Sequence, residues 1–224
     1  QKQLDLPEYL FPHKTDNLIR IGNTSDGSYL VDRESILDTD ILLSIGVGII
    51  FEFEKKFLKL KKVPILAFDE SAGLLSQLRK IKWRFMQILK LKDVNYIRES
   101  VQFFLVPFKF YFFYKNFRNT RLNNNYRRFI KKFVGTEKGQ ITISEIVDKF
   151  ELTSRFKNIF FQIDIEGGEY KILYEIIEFQ DYISGLVIEF HNIDQHLTEI
   201  ERFISEFKLN LVHTHVNNIG GISK

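Results

Sequence analysis

No cysteine occurs in the 224-residue chain. That excludes disulfide scaffolds, thiolate zinc sites, iron–sulfur clusters and cysteine nucleophiles, and it accords with a reducing compartment. Proline and glycine are sparse, at 4 and 12 residues, so collagenous and linker-rich chains are excluded as well. No N-terminal stretch joins a basic start to an apolar segment and a small-residue cleavage site, and the expectation is a cytoplasmic protein. The run from Val101 to Phe117 is densely aromatic, but Pro107, Lys109 and Lys115 interrupt it. It also falls short of the ~20 mainly apolar residues that a bilayer span needs. What the chain has in quantity is aromatic side chains, 23 of them Phe, within an apolar content of 44%. One globular domain with a real core is therefore expected.

The net charge of +3 averages two unlike parts. From Ser76 to Val134 there are 15 basic residues against 2 acidic ones, leaving 17 basic and 27 acidic residues for the remainder. A mildly acidic body carries a basic, aromatic insert, placed at about residues 76–126. Within it Leu74, Leu78, Ile81, Phe85 and Leu89 form one helical stripe, with Arg79, Lys80 and Lys90 roughly opposite. This is the pattern of a basic amphipathic helix.

Outside the insert, short apolar runs alternate with helical patterns. Ile41 to Ile45, Val63 to Phe68, Ile159 to Ile165, Gly185 to Phe190 and Leu209 to His215 read as strands, and a further strand is expected around Phe129 to Val134. Phe51 to Leu60, Glu169 to Glu178 and Leu197 to Phe207 have helical spacing. Thr142-Ile143-Ser144-Glu145 reads as a capping box opening a helix to Phe150. Asp26-Gly27 marks a hairpin turn. The alternation predicts an α/β fold, a doubly wound and mostly parallel sheet, in which ligands bind at the carboxyl ends of the strands.

Those strand ends are chemically loaded. Ser44-Ile45-Gly46-Val47-Gly48 follows the first of them, and glycines there let backbone approach a nucleotide-like ligand. Phe51 stands where a dinucleotide fingerprint wants a third glycine, which disfavours NAD and FAD. Asp69 ends the second strand, where an acid can hold both hydroxyls of a ribose or, equally, serve as a turn or N-cap residue. A Gly-x-Gly turn and a strand-end acid without the third glycine suit a nucleoside ligand lacking phosphate, of which S-adenosylmethionine is the commonest on this architecture. In Phe161-Gln162-Ile163-Asp164-Ile165-Glu166-Gly167-Gly168-Glu169-Tyr170, alternation places Asp164 and Glu166 on the same side of a strand end. Glu189 and His191 share parity in Ile188-Glu189-Phe190-His191, and His213 and His215 close the last run.

The strings IRIGNTSDGSYLV, LLSIGVGIIFEFE, ILAFDES, FFQIDIEGGEYKIL, LVIEFHNID and LVHTHVNNIGG, in this order, resemble the FkbM-type family of S-adenosylmethionine-dependent methyltransferases. The resemblance covers nearly all the chain except the insert. It implies a Rossmann-like methyltransferase fold and methyl transfer to a hydroxyl, often on a sugar in a surface glycan or a related natural product. Carried onto this sequence, Gly46 and Gly48 would line the cofactor, Asp69 would hold its ribose, and Asp164 would lie near the methyl end. Glu52 would be a further cofactor contact or an acid of the helix's first turn. The family pattern continues into another strand past the asparagine pair Asn217-Asn218, so a final C-terminal strand is expected to be missing from this chain.

Methyl transfer from a sulfonium needs an aligned acceptor oxygen that loses its proton. The candidate bases are His191, His213 and His215, with His191 the first choice because it follows a strand beside the acidic one. The competing picture is a divalent cation held by Asp164, Glu189 and a histidine. No tight ligand spacing supports it, and a metal-free site is the default expectation. The insert has three readings: a lid over the cleft, a surface that docks on anionic membrane through residues 76–134, or a nucleic-acid surface, for which no motif is present. The rival to an enzyme is a non-catalytic protein of the same fold acting as a membrane-associated binding module.

Overall fold

The computed structural model describes residues 7–22, 28–48, 51–72, 106–114 and 126–215. The chain opens with a hairpin of β1 (Leu18–Gly22) and β2 (Ser28–Asp32), antiparallel with Leu18 opposite Asp32 and Gly22 opposite Ser28. The Asp26-Gly27 turn lies outside the described residues. Asp32 ends β2 and caps the next helix, Arg33–Leu37, its carboxylate accepting from the Ser35 N–H at 2.9 Å.

Five strands then build one sheet, β3 (Ile41–Ile45), β4 (Ile65–Phe68), β5 (Arg127–Ile130), β6 (Ile159–Ile163) and β7 (Ile183–Ile188). Their order is β5-β4-β3-β6-β7, and every neighbouring pair is parallel. Both faces of its centre are covered, which is why β4 reads as an unbroken apolar run and β3 and β6 as runs broken only by Ser44 and Gln162. Period-two alternation divides them: Ile41, Leu43, Ile45, Phe161 and Ile163 join one core, with the helices Ile143–Phe150 and Leu173–Glu178 and with Phe203. Leu42, Ile65, Ala67 and Phe160 join the other, with Ile36 and with Phe53 and Phe57 of the helix Glu52–Leu60. The capping box forms as expected. Thr142 Oγ1 accepts from Glu145 N–H at 3.1 Å, and the Glu145 carboxylate accepts from Thr142 N–H at 3.0 Å.

Several expected boundaries shift. β4 begins at Ile65, after Pro64, and β6 stops at Ile163, so Asp164 and Glu166 lie beyond the ladder. β5 covers Arg127–Ile130, and Val134 makes only an isolated bridge with Ile141. The stretch expected as one helix from Glu169 is a 3-10 turn, Glu169–Lys171, followed by the helix Leu173–Glu178. The largest correction concerns Leu209 to His215, which forms no strand. Its alternation is right for a strand, but it enters no ladder: Leu211 C=O is taken by the N–H of His13 at 2.7 Å, and without a neighbour's repeating bonds extended chain is not sheet.

The insert at 76–126 falls mostly outside the described residues, and so do the amphipathic helix starting at Leu74 and the stretch Ile49-Ile50. The described part is the helix Val106–Phe113, in whose first turn Pro107 sits without breaking it. Phe110 and Tyr114 are buried in the core with Phe51 and Phe129. No described helix is long and apolar enough to cross a membrane.

One polar seam crosses the second core. Ser44 Oγ lies 2.5 Å from Glu54 Oε1 and 2.6 Å from Gln162 Oε1, all three residues buried. Two contacts between oxygens need two protons, and the serine has one. Ser44 donates one of them, and the other comes from a protonated Glu54 carboxyl or from the Gln162 amide, whose oxygen and nitrogen can exchange places. Burial pushes the Glu54 carboxyl up to about 7, against the Ser44 bond that pulls it down. The folded state therefore holds the Glu54 proton more tightly than the unfolded chain does. The stability it contributes is complete at low pH and is lost as pH rises from about 4.5 through about 7. Urea denaturation between pH 5 and 8 should show Glu54→Gln losing less stability than the parent, by up to about 3 kcal/mol. Parallel pH profiles for the two proteins would show instead that Glu54 is charged in the fold.

Candidate functional site

The chain lays down β3, β4 and β5 toward one edge and then returns to place β6 and β7 on the other side of β3. The carboxyl ends of β3 and β6 therefore meet at the point where strand order reverses, the place where parallel sheets open a crevice. Gly46 turns there with φ +82°, and a Cβ built on it would lie 1.6 Å from the Asp164 carbonyl oxygen. Only glycine permits this approach. Gly48 has φ +57°, and among the described residues a Cβ there would meet nothing within 4 Å.

Asp69 ties this loop to the end of β4. Its Oδ2 accepts from Gly48 N–H at 2.6 Å, and its Oδ1 accepts from Ser71 N–H at 2.6 Å and Ala72 N–H at 3.0 Å. The turn role is thus filled, and Oδ2 keeps a lone pair that a hydroxyl could use. Glu52 pairs with Lys55 at 2.6 Å in its helix's first turn and stays partly exposed, the local ion pair that its position also allowed.

Across the switch point lies a carboxylate cluster around one histidine. Glu169 organises it. Its side chain is fully buried, and Oε1 accepts from Ile165 N–H and Gly167 N–H, each at 3.2 Å. The same oxygen lies 2.9 Å from His191 Nδ1. A carboxylate can only accept, so Nδ1 carries a proton and Nε2 is the nitrogen left to exchange one. Nε2 faces Glu166 Oε2 at 3.5 Å and Asp164 Oδ1 at 3.9 Å. Asp164 and Glu166 thus converge on His191, although loop geometry and not strand alternation brings them there.

Glu166 itself has φ +55°, a left-handed conformation that costs a non-glycine residue about 1–2 kcal/mol. The Glu169 bonds to the N–H groups on either side of it hold the turn in place. Asn192, next to His191, is also left-handed at φ +52°. Tyr170 completes the frame, its hydroxyl donating to the His191 carbonyl at 2.5 Å while its ring stacks on His196.

The electrostatics follow from this crowding. Burial and the neighbouring Glu189 charge push Asp164 up to about 7, against the pull of His191. Burial by itself would lower His191, but its bond to Glu169 and the charges of Glu169, Glu166 and Asp164 raise it above the ordinary histidine value. Glu189 accepts from Tyr29 of the hairpin at 2.9 Å. Asp164, Glu169 and His191 each offer one donor atom, and these lie within 4.8 Å of one another. Such a set of oxygens and one imidazole suits a divalent cation. Glu189, expected as a ligand beside Asp164, is not a member of it.

His213 stands apart from this group. Its Nε2 lies 3.1 Å from His215 Nδ1. Burial lowers its pKa, together with the positive charges of His215 and Arg20. Of the expected bases, the structure joins only His191 to the acidic strand end. Glu169 escaped the sequence reading because an acid opening a helical stretch looks like an ordinary first-turn residue. The one available signal was its place directly after Gly167-Gly168, where a tight turn brings the chain back on itself. No protein-family model, curated protein or solved structure matches this chain.

Proposed function

We propose that this protein is an S-adenosylmethionine-dependent O-methyltransferase, acting on a hydroxyl of a sugar in a surface glycan or a related natural product. The family resemblance supplies the cofactor and the acceptor class. The observation that carries the reading is the His191–Glu169 pair, seated beside the glycine loop at the switch point of a parallel sheet. The unobstructed Cβ direction at Gly48 among the described residues and the spare lone pair of Asp69 fit a nucleoside, and the excess of carboxylates fits a cationic sulfonium. When bound, the cofactor supplies a methyl carbon whose bond to sulfur breaks as the acceptor oxygen attacks.

This chain's part is positioning and proton transfer. His191 Nε2 accepts the hydroxyl proton, Glu169 fixes the ring by its Nδ1 proton, and the Asp164 and Glu166 charges stabilise the imidazolium that forms. A raised His191 pKa means that the free base builds up at higher pH than for an ordinary histidine, so turnover should rise as pH increases through that raised value.

Calorimetry with S-adenosylmethionine tests the reading directly. The parent should bind it, and Asp164→Ala should bind about tenfold or more weakly. A parent that does not bind would overturn the enzyme assignment in favour of a binding module. A second reading rests on the donor set of Asp164, Glu169 and His191: a divalent cation there would lower the hydroxyl pKa in place of an imidazole base. Formation of S-adenosylhomocysteine with a panel of glycans, with and without chelator, separates the two.

A further inference from the structure

The helix Val106–Phe113 has two contrasting sides. Phe110 and Tyr114, four residues apart, are buried against Phe51 and Phe129. Phe108, Tyr111 and Phe112 share the other side by their spacing and are 64%, 52% and 63% exposed. Isolated exposed rings are ordinary, but three on two turns of one anchored helix make an apolar patch. The buried rings give it rigidity: the helix cannot rotate the exposed ones inward without withdrawing Tyr114 from the core.

The chain on either side of this patch carries basic charge. From Val106 to Val134 the sequence contains no Asp or Glu. Lys109 is exposed on the helix itself. Arg127 of β5 lies 4.7 Å from the Phe113 ring, and β5 runs on into exposed Lys131, Lys132 and Phe133. Among the described residues β5 is the outermost strand on its side of the sheet, and the helix and this basic strand lie side by side. Aromatic rings beside lysine and arginine match the bilayer interface, where rings enter the headgroup region and basic groups meet lipid phosphates.

We infer that the Val106–Phe113 helix and the adjoining β5 margin dock on an anionic phospholipid bilayer, with Phe108, Tyr111 and Phe112 entering the headgroup layer. The inference stands independently of the proposed methyl transfer. For a glycan acceptor carried on a lipid, such docking would bring the enzyme to the plane of its substrate.

Co-sedimentation of the full chain with phosphatidylglycerol–phosphatidylcholine vesicles, against pure phosphatidylcholine, tests it. The parent should partition at least tenfold more strongly onto the anionic vesicles, and high salt should weaken that binding. Phe108→Ser/Tyr111→Ser/Phe112→Ser should lose most of it while melting like the parent, and Lys131→Glu/Lys132→Glu should weaken it separately. Equal partition on neutral vesicles, unchanged binding by the triple variant, or a patch used for self-association or for single-stranded RNA in preference to vesicles would each overturn the inference. Should the triple variant melt early, iodide quenching of the tryptophan placed by Phe108→Trp, in a chain whose own Trp83 is replaced by Phe, gives a second measurement. Protection by anionic vesicles supports docking, and unaltered quenching refutes it.

Discussion

Gly46→Ala should fail to fold at 25 °C, or lose more than about 4 kcal/mol of stability, a large share of the roughly 5–15 kcal/mol by which native proteins are stable. The cause is geometric. The new Cβ would stand 1.6 Å from the Asp164 carbonyl oxygen and 2.5 Å from its carbon, both backbone atoms. Neither side can yield, because Gly46 N–H donates to the Phe68 carbonyl and Asp164 N–H donates to the Ile45 carbonyl, each at 2.9 Å. The φ of +82° adds its own penalty for any side chain. Gly48→Ala makes the informative control. It has φ +57° and an unobstructed Cβ direction, so it should cost about 1–2 kcal/mol and leave the fold intact. Urea titrations of the two variants decide the matter, and equal, small losses would mean that the β3 and β6 ends are not locked together.

Glu169→Gln should keep the fold while lowering turnover by about 10²–10⁴-fold, the range for losing the partner that orients a catalytic imidazole. The carboxamide oxygen can still accept from Ile165 and Gly167 N–H, but the charge that supports an imidazolium is gone. The His191 Cε1–H resonance reports this without any acceptor: its titration midpoint, held up by Glu169 in the parent, should fall in the variant. Glu169→Ala differs in kind. It leaves two backbone donors and the Nδ1 proton, all half-buried, without their shared acceptor, and an orphaned donor costs up to about 1–3 kcal/mol to the extent that water cannot reach it. A His191 midpoint that does not move in Glu169→Gln would show that the pair is structural and would remove His191 as the base.

Much of this was legible along the chain. The strands read at Ile41 to Ile45, Val63 to Phe68 and Ile159 to Ile165 were legible because a strand buried on both faces is mostly apolar along its length, a local signal that Ser44, Gln162 and Asp164 interrupt only singly. The glycine loop and the acids at Asp69 and Asp164 were legible because turns and strand ends have their own residue chemistry. Leu209 to His215 misled for the same reason: its alternation is local, whereas pairing needs a partner strand, and the chain elsewhere decides whether one is supplied.

What the amino-acid sequence determined by itself is therefore the parallel sheet, the order of its chemistry-bearing strand ends and the basic aromatic character of the insert. Only the tertiary structure decided which charges are buried and what they touch. Glu54 looks like one more charge on an amphipathic helix, yet it is buried and bonded to Ser44 of β3, which in turn bonds Gln162 of β6. Glu169 looks like a first-turn acid, yet it is the fully buried anchor of His191. Desolvation and hydrogen bonding depend on neighbours brought from tens of residues away, and no local pattern encodes them.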